Sequence, residues 1–180
     1  MKIYTKTGDD GTTGTLGQGR RLKSDLLIHV LGELDELNAA IGMGASPDRM
    51  VDFLMVQSRL LDIGAEVASL SLDKRFIFQN IDDDIDWLEQ DIDLTDGNLT
   101  ILENFILPGG PSQSAKMLHF ARAVCRRAER SLVELRSLEP TIRIECVKYL
   151  NRLSDWLFVV ARHCNELEGY GDTIWVKKND

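Results

Sequence analysis

Cysteine is scarce in this chain of 180 residues: Cys125, Cys146 and Cys164 make an odd number, and no CxxC pair occurs. That argues against a disulfide framework, and the apolar surroundings of all three predict reduced core thiols. Histidine is equally sparse. His29, His119 and His163 show no HxxxH or HExxH spacing, so no metal site built from protein ligands is expected. No run of about twenty apolar residues is present to span a bilayer, and the first residues are polar and charged rather than apolar like a secretory leader. The expected address is the cytoplasm. Positive charge is in deficit too: 21 Lys and Arg face 29 Asp and Glu, a net charge of −8 that argues against general affinity for nucleic acid or membrane surfaces. The familiar phosphate loops are also missing, since no GxxxxGK[ST] string occurs and no GxGxxG follows a strand.

What is present begins at Thr5. Residues 5–24 read TKTGDDGTTGTLGQGRRLKS, in which Gly8, Gly11, Gly14, Gly17 and Gly19 permit positive φ and bring bare N–H groups close to a ligand. Thr5, Thr7, Thr12 and Thr13 add hydroxyls, and Lys6, Arg20, Arg21 and Lys23 add positive charge. This is chemistry suited to phosphate, although composition alone equally allows a disordered terminus. The charge pattern favours a compact anion. Residues 1–23 carry five bases against two acids, and residues 122–136 again carry five bases against two acids, in a chain that is otherwise acidic. The excess negative charge lies in residues 82–93, where seven carboxylates meet no base in the sequence; a solvated helix start is the expected reading.

The rest of the chain reads as all-α, a five-helix bundle of ferritin-like up-down packing behind an extended glycine-rich loop. Ser24 or Asp25 caps a first helix to about Gly42, with Leu27, Leu31, Leu34, Leu37, Asn38 and Ile41 on one side. A second runs from Ser46 or Asp48 to about Ser71, with Met50, Phe53, Leu54, Leu60, Leu61, Ile63 and Val67 as its apolar positions. A third, shorter helix starts near Asp82 to Asp84. Residues 95–111 are expected as turn, short extended piece and turn. Helix four covers about Ser112 to Leu138, and Pro140 is expected to open helix five, which reaches about Leu167. The domain is single: residues 1–24 form the loop, 25–168 the bundle and 169–180 the tail.

Helices four and five carry the second group of interest. Arg122, Arg126 and Glu129 fall on one stripe beside the apolar face of helix four, with Arg127 and Arg130 flanking them. Asn151, Asp155, Phe158 and Arg162 share a face of helix five, and Asp35 and Asn38 border the apolar side of helix one. An Arg-rich helix with interspersed Glu also forms ordinary solvated faces, so spacing alone leaves both readings open.

Five strings in order bear on that choice: TKTGDDGTT, GELDELNAAIG, FILPGG, RAVCRRAER and NRLSDWLFVVAR. Together they resemble the motif set of the PduO-type ATP:cob(I)alamin adenosyltransferases, across nearly the whole chain. The resemblance implies a homotrimer with ATP bound between subunits, transfer of the 5′-deoxyadenosyl group of ATP to the cobalt of cob(I)alamin, and release of triphosphate. It implies that Thr5, Lys6, Thr7, Gly8, Asp9, Gly11, Thr12 and Thr13, with Arg20 and Lys23, wrap the nucleotide. Arg126, Arg127, Glu129 and Asn151 complete that site from the facing helices. Asp35 and Arg122 resemble the family's paired acid and base beside the corrin, and Phe105 the aromatic beneath it. The tail after Gly171 is short where the resemblance implies a longer aromatic C-terminus covering the corrin, which leaves Trp175 as the residue to serve as that lid. Magnesium is expected on the ATP phosphates rather than on dedicated protein ligands, and the implied partners are a reductase supplying cob(I)alamin and an adenosylcobalamin-dependent enzyme. Two rival readings are an ATP-gated cobalamin carrier without catalysis and a helical scaffold with a disordered N-terminus.

Overall fold

In a computed structural model, residues 2–16 and 19–177 are described; Gly17 and Gln18 of the glycine-rich stretch lie outside them, as do Met1 and residues 178–180 of the tail. Five helices dominate: α1 over Leu26–Gly44, α2 over Met50–Ala68, α3 over Ile81–Asp96, α4 over Gln113–Leu138 and α5 over Ile144–Leu167. Their starts follow local chemistry. The Asp25 carboxylate accepts the Leu27 N–H at 2.9 Å, and Ser112 Oγ accepts the Ala115 N–H at 3.3 Å, each cap contributing about 1 kcal/mol. A 3-10 turn over Pro47–Arg49 leads into α2, and Asp82, Asp83 and Asp84 sit in the first turn of α3, where the helix dipole favours acids.

Two boundaries differ from the sequence expectation. Pro140 does not open the fifth helix: the chain first turns, with the Ile142 N–H donating to the Glu139 carbonyl at 3.0 Å, and α5 begins at Ile144. That turn lets Ile142 enter the core, where it is fully buried. α2 stops at Ala68 rather than Ser71, because the buried Ser69 hydroxyl donates to the Glu66 carbonyl at 2.8 Å and accepts the Phe76 N–H at 3.0 Å.

α4 lies at the centre, packed between α1 and α5, with α2 outside α1 and α3 beside α5. The α1–α4 approach is close at Gly44, where a Cβ would meet the Leu118 side chain at 2.8 Å. Trp156 closes the middle. Its ring meets Phe53 edge-on at 5.3 Å and Trp87 at 6.0 Å, and its indole N–H donates to Asp91 at 2.7 Å. A side chain of this kind stabilises the fold by about 1.5–3 kcal/mol through burial alone. Glu66, 1% exposed, is held by Arg143, whose Nε donates to it at 2.9 Å. The Arg143 and Arg59 guanidinium groups both lie over the Phe78 ring, which pins the segment between α2 and α3.

The acidic run is less solvated than expected. Asp84 pairs with Arg59 at 2.6 Å, Asp91 with Arg49, and Glu89 with Arg152 at 2.8 Å, so three of its carboxylates tie α3 to its neighbours. On α2, Met50, Leu54 and Leu61 point outward rather than into the core, and with Val51 and Met55 they make an exposed apolar stripe. Among the described residues, strand structure is confined to a two-stranded antiparallel ribbon, Thr12–Gly14 with Arg20–Leu22, and one bridge between Ile106 and Ile174.

Candidate functional site

The N-terminal stretch is built as a hairpin whose fastener is Arg20. The Thr12 N–H and hydroxyl donate to Asp10 Oδ1 at 2.9 and 2.7 Å, and Arg20 Nε donates to Thr12 Oγ1 at 2.6 Å. Arg20 Nη2 also donates to the carbonyls of Thr7 and Thr12. These Thr12 bonds, with the Arg20 charge, hold the Asp10 carboxyl below the usual range. Gly11 takes a φ of +82°, and the Lys23 N–H donates to its carbonyl at 2.9 Å. A Cβ on Gly8 would press on the Thr12 carbonyl at 3.0 Å and on Lys23 Nζ at 3.3 Å, so glycine lets the lysine cross the loop. The Thr5 and Thr7 hydroxyls are bonded to each other at 2.9 Å, and Lys6 has a left-handed φ of 61°. Asp9 is exposed and Thr13 lies in the ribbon opposite Arg21. Arg20 is thus spent on shaping the loop, while Arg21 pairs with Asp25 at 3.0 Å.

The face shared by α4 and α5 forms the second part. Glu129 Oε1 accepts from Asn151 Nδ2 at 3.1 Å, and the half-exposed Arg126 lies 3.6 Å from Glu129 Oε2. Arg122 has its Nε buried with no hydrogen-bond partner among the described residues. Arg127 turns the other way, pairing with Glu33 at 3.4 Å and with Glu36 on α1, and with Lys23 it borders a cleft of about 470 Å³. Among the described residues no hydrogen bond or ion pair joins the loop to Arg122, Arg126, Glu129 or Asn151. Asp35 lies exposed beside a groove between α1 and α2 and makes no ion pair with Arg122 within the protomer. The expected pairing of these two is therefore not formed inside one chain. Asn38, its neighbour, exchanges hydrogen bonds with Gln57 of α2 at 3.0 Å.

Further along the same α4–α5 face, toward the start of α4, the surface becomes apolar. Phe105 is 81% exposed and borders a pocket of about 630 Å³ shared with Phe158 and Trp175. Behind Phe158 stands His119, ring centroids 5.9 Å apart, buried and with both nitrogens unpartnered among the described residues. Burial, reinforced by the Arg122 charge, pushes its pKa down to about 4, so the ring is neutral at ordinary pH.

His119 was not among the residues singled out from sequence; the signal was its place three residues before Arg122 on a helical face. Arg162 was placed on the face of Asn151, Asp155 and Phe158, yet it is 3% exposed and turned toward the tail, bonded to Asp96 and Asp172. Among the described residues no cluster of three or more His, Cys, Asp or Glu could hold a metal ion, and no helix is long and apolar enough to cross a membrane.

Comparison with known proteins supplies the context for this face. A profile of the cobalamin adenosyltransferase family matches residues 3–164. A corrinoid adenosyltransferase of Bacillus subtilis is 39% identical over 180 residues, covering 96% of this chain and 91% of that protein. A cobalamin adenosyltransferase of Cupriavidus metallidurans is 42% identical over 187 residues, covering 99% and 96%. In three dimensions the chain is similar to a phenylalanine-to-alanine variant of a PduO-type ATP:corrinoid adenosyltransferase from Lactobacillus reuteri, complexed with cobalamin and ATP. The TM-score is 0.91, with 35% identity over 98% of this chain and 100% of that one.

Proposed function

This chain belongs to the cobalamin adenosyltransferase family, and on that premise we propose that it transfers the 5′-deoxyadenosyl group of ATP to the cobalt of cob(I)alamin, giving adenosylcobalamin and triphosphate. The observation that carries this reading lies on α4 and α5: Phe158, which lines the pocket with Phe105 and Trp175, meets the His119 ring, and Arg122 and Arg126 follow His119 about one and two turns further along α4. Ten residues of helix separate His119 from Glu129, about 15 Å, enough to lay a flat apolar substrate beside a polyphosphate.

The chemistry suits these residue types. The nucleophile is cobalt, so no serine, cysteine or lysine nucleophile is required. As the Co–C bond forms with the metal's electron pair, the C5′–O bond breaks and its electrons leave on the triphosphate. Arg126 stabilises that developing charge, with Lys6, Lys23 and the loop N–H groups. Glu129 and Asn151 orient the Arg126 side and the nucleotide, Thr5, Thr7, Thr12 and Thr13 offer hydroxyls, and Gly8, Asp9 and Gly11 shape the backbone around it. Arg20 acts through the loop it fastens. Magnesium would be carried on the phosphate oxygens of ATP, beside a loop whose Asp10 is already engaged by Thr12. It would neutralise charge on the leaving group. Phe105 keeps water and imidazole from the lower face of the corrin, which eases reduction of Co(II) to Co(I).

A homotrimer completes the site. Among the described residues no hydrogen bond or ion pair joins the loop to Arg122, Arg126, Glu129 or Asn151, none joins Asp35 to Arg122, and the α2 stripe is exposed. A loop and an α1–α2 edge from the neighbouring subunit answer all three. The whole chain works as one domain, in the cytoplasm, between a reductase and an adenosylcobalamin-dependent enzyme. The test is an anaerobic incubation of cobalamin, reductant and MgATP, followed for the adenosylated spectrum and free triphosphate. Binding of both ligands without triphosphate release would leave a carrier instead.

A further inference from the structure

Arg162 is the most deeply buried arginine of the chain, and its guanidinium is divided among three segments. Nε donates to Asp172 in the tail at 2.8 Å, Nη1 to Asp96 at the end of α3 at 2.7 Å, and Nη2 to the Thr100 carbonyl at 2.6 Å. One turn on, Asn165 does the same for the far end of the connecting segment. Its Nδ2 donates to the Gly109 carbonyl at 2.9 Å, and its Oδ1 accepts the Ser112 N–H at 3.3 Å. Gly110, at φ +113°, passes so close beneath the Asn165 amide that any Cβ would collide with it.

Phe105 hangs between these two clamps. The tail that Arg162 anchors at Asp172 then runs along it: the Leu107 N–H donates to the Thr173 carbonyl at 2.8 Å and the Trp175 N–H to the Phe105 carbonyl at 2.7 Å. A planar, always charged fork with five fixed donors can hold three acceptors in one geometry, which neither an apolar residue nor a flexible ammonium can do.

We infer that Arg162 is a positioning residue for the aromatic wall beneath the corrin: by gripping α3, residue 100 and the tail at once, it sets where Phe105 and Trp175 stand. This rests on the reading that Phe105 faces the corrin. The nucleotide end of the α4–α5 face lies several turns away and has no contact with the clamp, so the two functions separate.

The experiment uses the full-length assembled enzyme and compares Asp172→Asn, Arg162→Lys, Arg162→Met and Phe105→Ala. Each is assayed on cob(II)alamin with reductant and on chemically supplied cob(I)alamin, with MgATP affinity and the paramagnetic resonance of bound cob(II)alamin measured in parallel. Displacement of a reacting wall by about 1 Å is expected to lower the cob(II)alamin route about tenfold or more in Asp172→Asn, with MgATP affinity within about twofold of the parent. The resonance of cobalt lacking a lower ligand weakens with it, and Arg162→Lys, which retains the charge, is less impaired than Arg162→Met. Equal losses on both routes in step with lowered thermal stability would reduce Arg162 to a structural role. Unchanged resonance in Asp172→Asn beside a strong effect of Phe105→Ala would overturn the clamp alone. A neutral Phe105→Ala would overturn the placement of Phe105, and this inference with it.

Discussion

Trp175 and Phe105 meet edge to face with ring centroids 6.5 Å apart, while the backbone N–H of the first donates to the carbonyl of the second. The pair is held by main-chain pairing, so the rings keep their relation without a covering layer, and Phe105 stays largely exposed. An aromatic presented in this way lies outside the core, and the proposed function sets the corrin against it.

Phe105→Ala removes that surface without opening a core cavity. Stability should change by less than about 0.5 kcal/mol, as for surface substitutions generally. Turnover from cob(II)alamin should fall much more than turnover from supplied cob(I)alamin; parallel kinetic assays on the two substrates decide, and equal falls would remove the purpose assigned to the ring.

Arg126 is half-exposed and bound only loosely to Glu129, so Arg126→Ala should leave the fold intact. Loss of one charge from the leaving-group side should lower kcat by roughly a hundredfold. Steady-state kinetics alongside thermal melts check this, and near-normal kcat would remove Arg126 from the transition state.

Glu66 is buried against Arg143, and among the described residues no other cationic side chain donates to it. Arg143→Met strands that carboxylate and should destabilise the fold by about 3–5 kcal/mol, whereas Glu66→Leu combined with Arg143→Met should recover most of the loss. Urea unfolding of the two single variants and the double variant supplies the cycle; additive losses would contradict it.

His119 carries a pH signature. Its folded pKa is near 4 against an unfolded value of 6.5. Above pH 6.5 the ring is neutral in both states. As pH falls from 6.5 toward 4 the unfolded chain takes up a proton that the folded chain refuses, so stability is lost across that window, by up to about 3 kcal/mol. His119→Leu should flatten the stability curve there relative to the parent, as read by denaturant melts at pH 7, 5.5 and 4.5; superimposable slopes would refute the buried neutral ring.

The outward stripe of α2 predicts an association surface. Leu54→Lys with Leu61→Lys should shift the protein toward the monomer in sedimentation analysis and weaken MgATP binding together, since the nucleotide site as proposed is built from two chains. A monomer with unchanged ATP affinity would place the whole site within one protomer.

Much of this was legible in the sequence because it is local. Asp25 and Ser112 announce helix starts, and the 3.6-residue spacing of Leu27, Leu34, Leu37 and Ile41 selects a buried side. The five motif strings named a family that profile and structure matches bear out.

Tertiary structure alone decided what depends on neighbours distant in the chain. Periodicity gives a helix face but not what stands opposite: Arg162 shares a face with Asn151 and Asp155 in the sequence, yet Asp96 and Asp172 close around it, and Leu54 and Leu61, apolar positions of α2, face outward because the core lies on the other side of that helix. Arg20, expected beside the phosphates, is bonded to Thr7 and Thr12 in the folded chain, because a guanidinium takes whichever acceptors the folded backbone brings within reach. Sequence fixes which groups are available and on which local surface; packing decides which of them are already satisfied, and therefore which remain to meet a ligand.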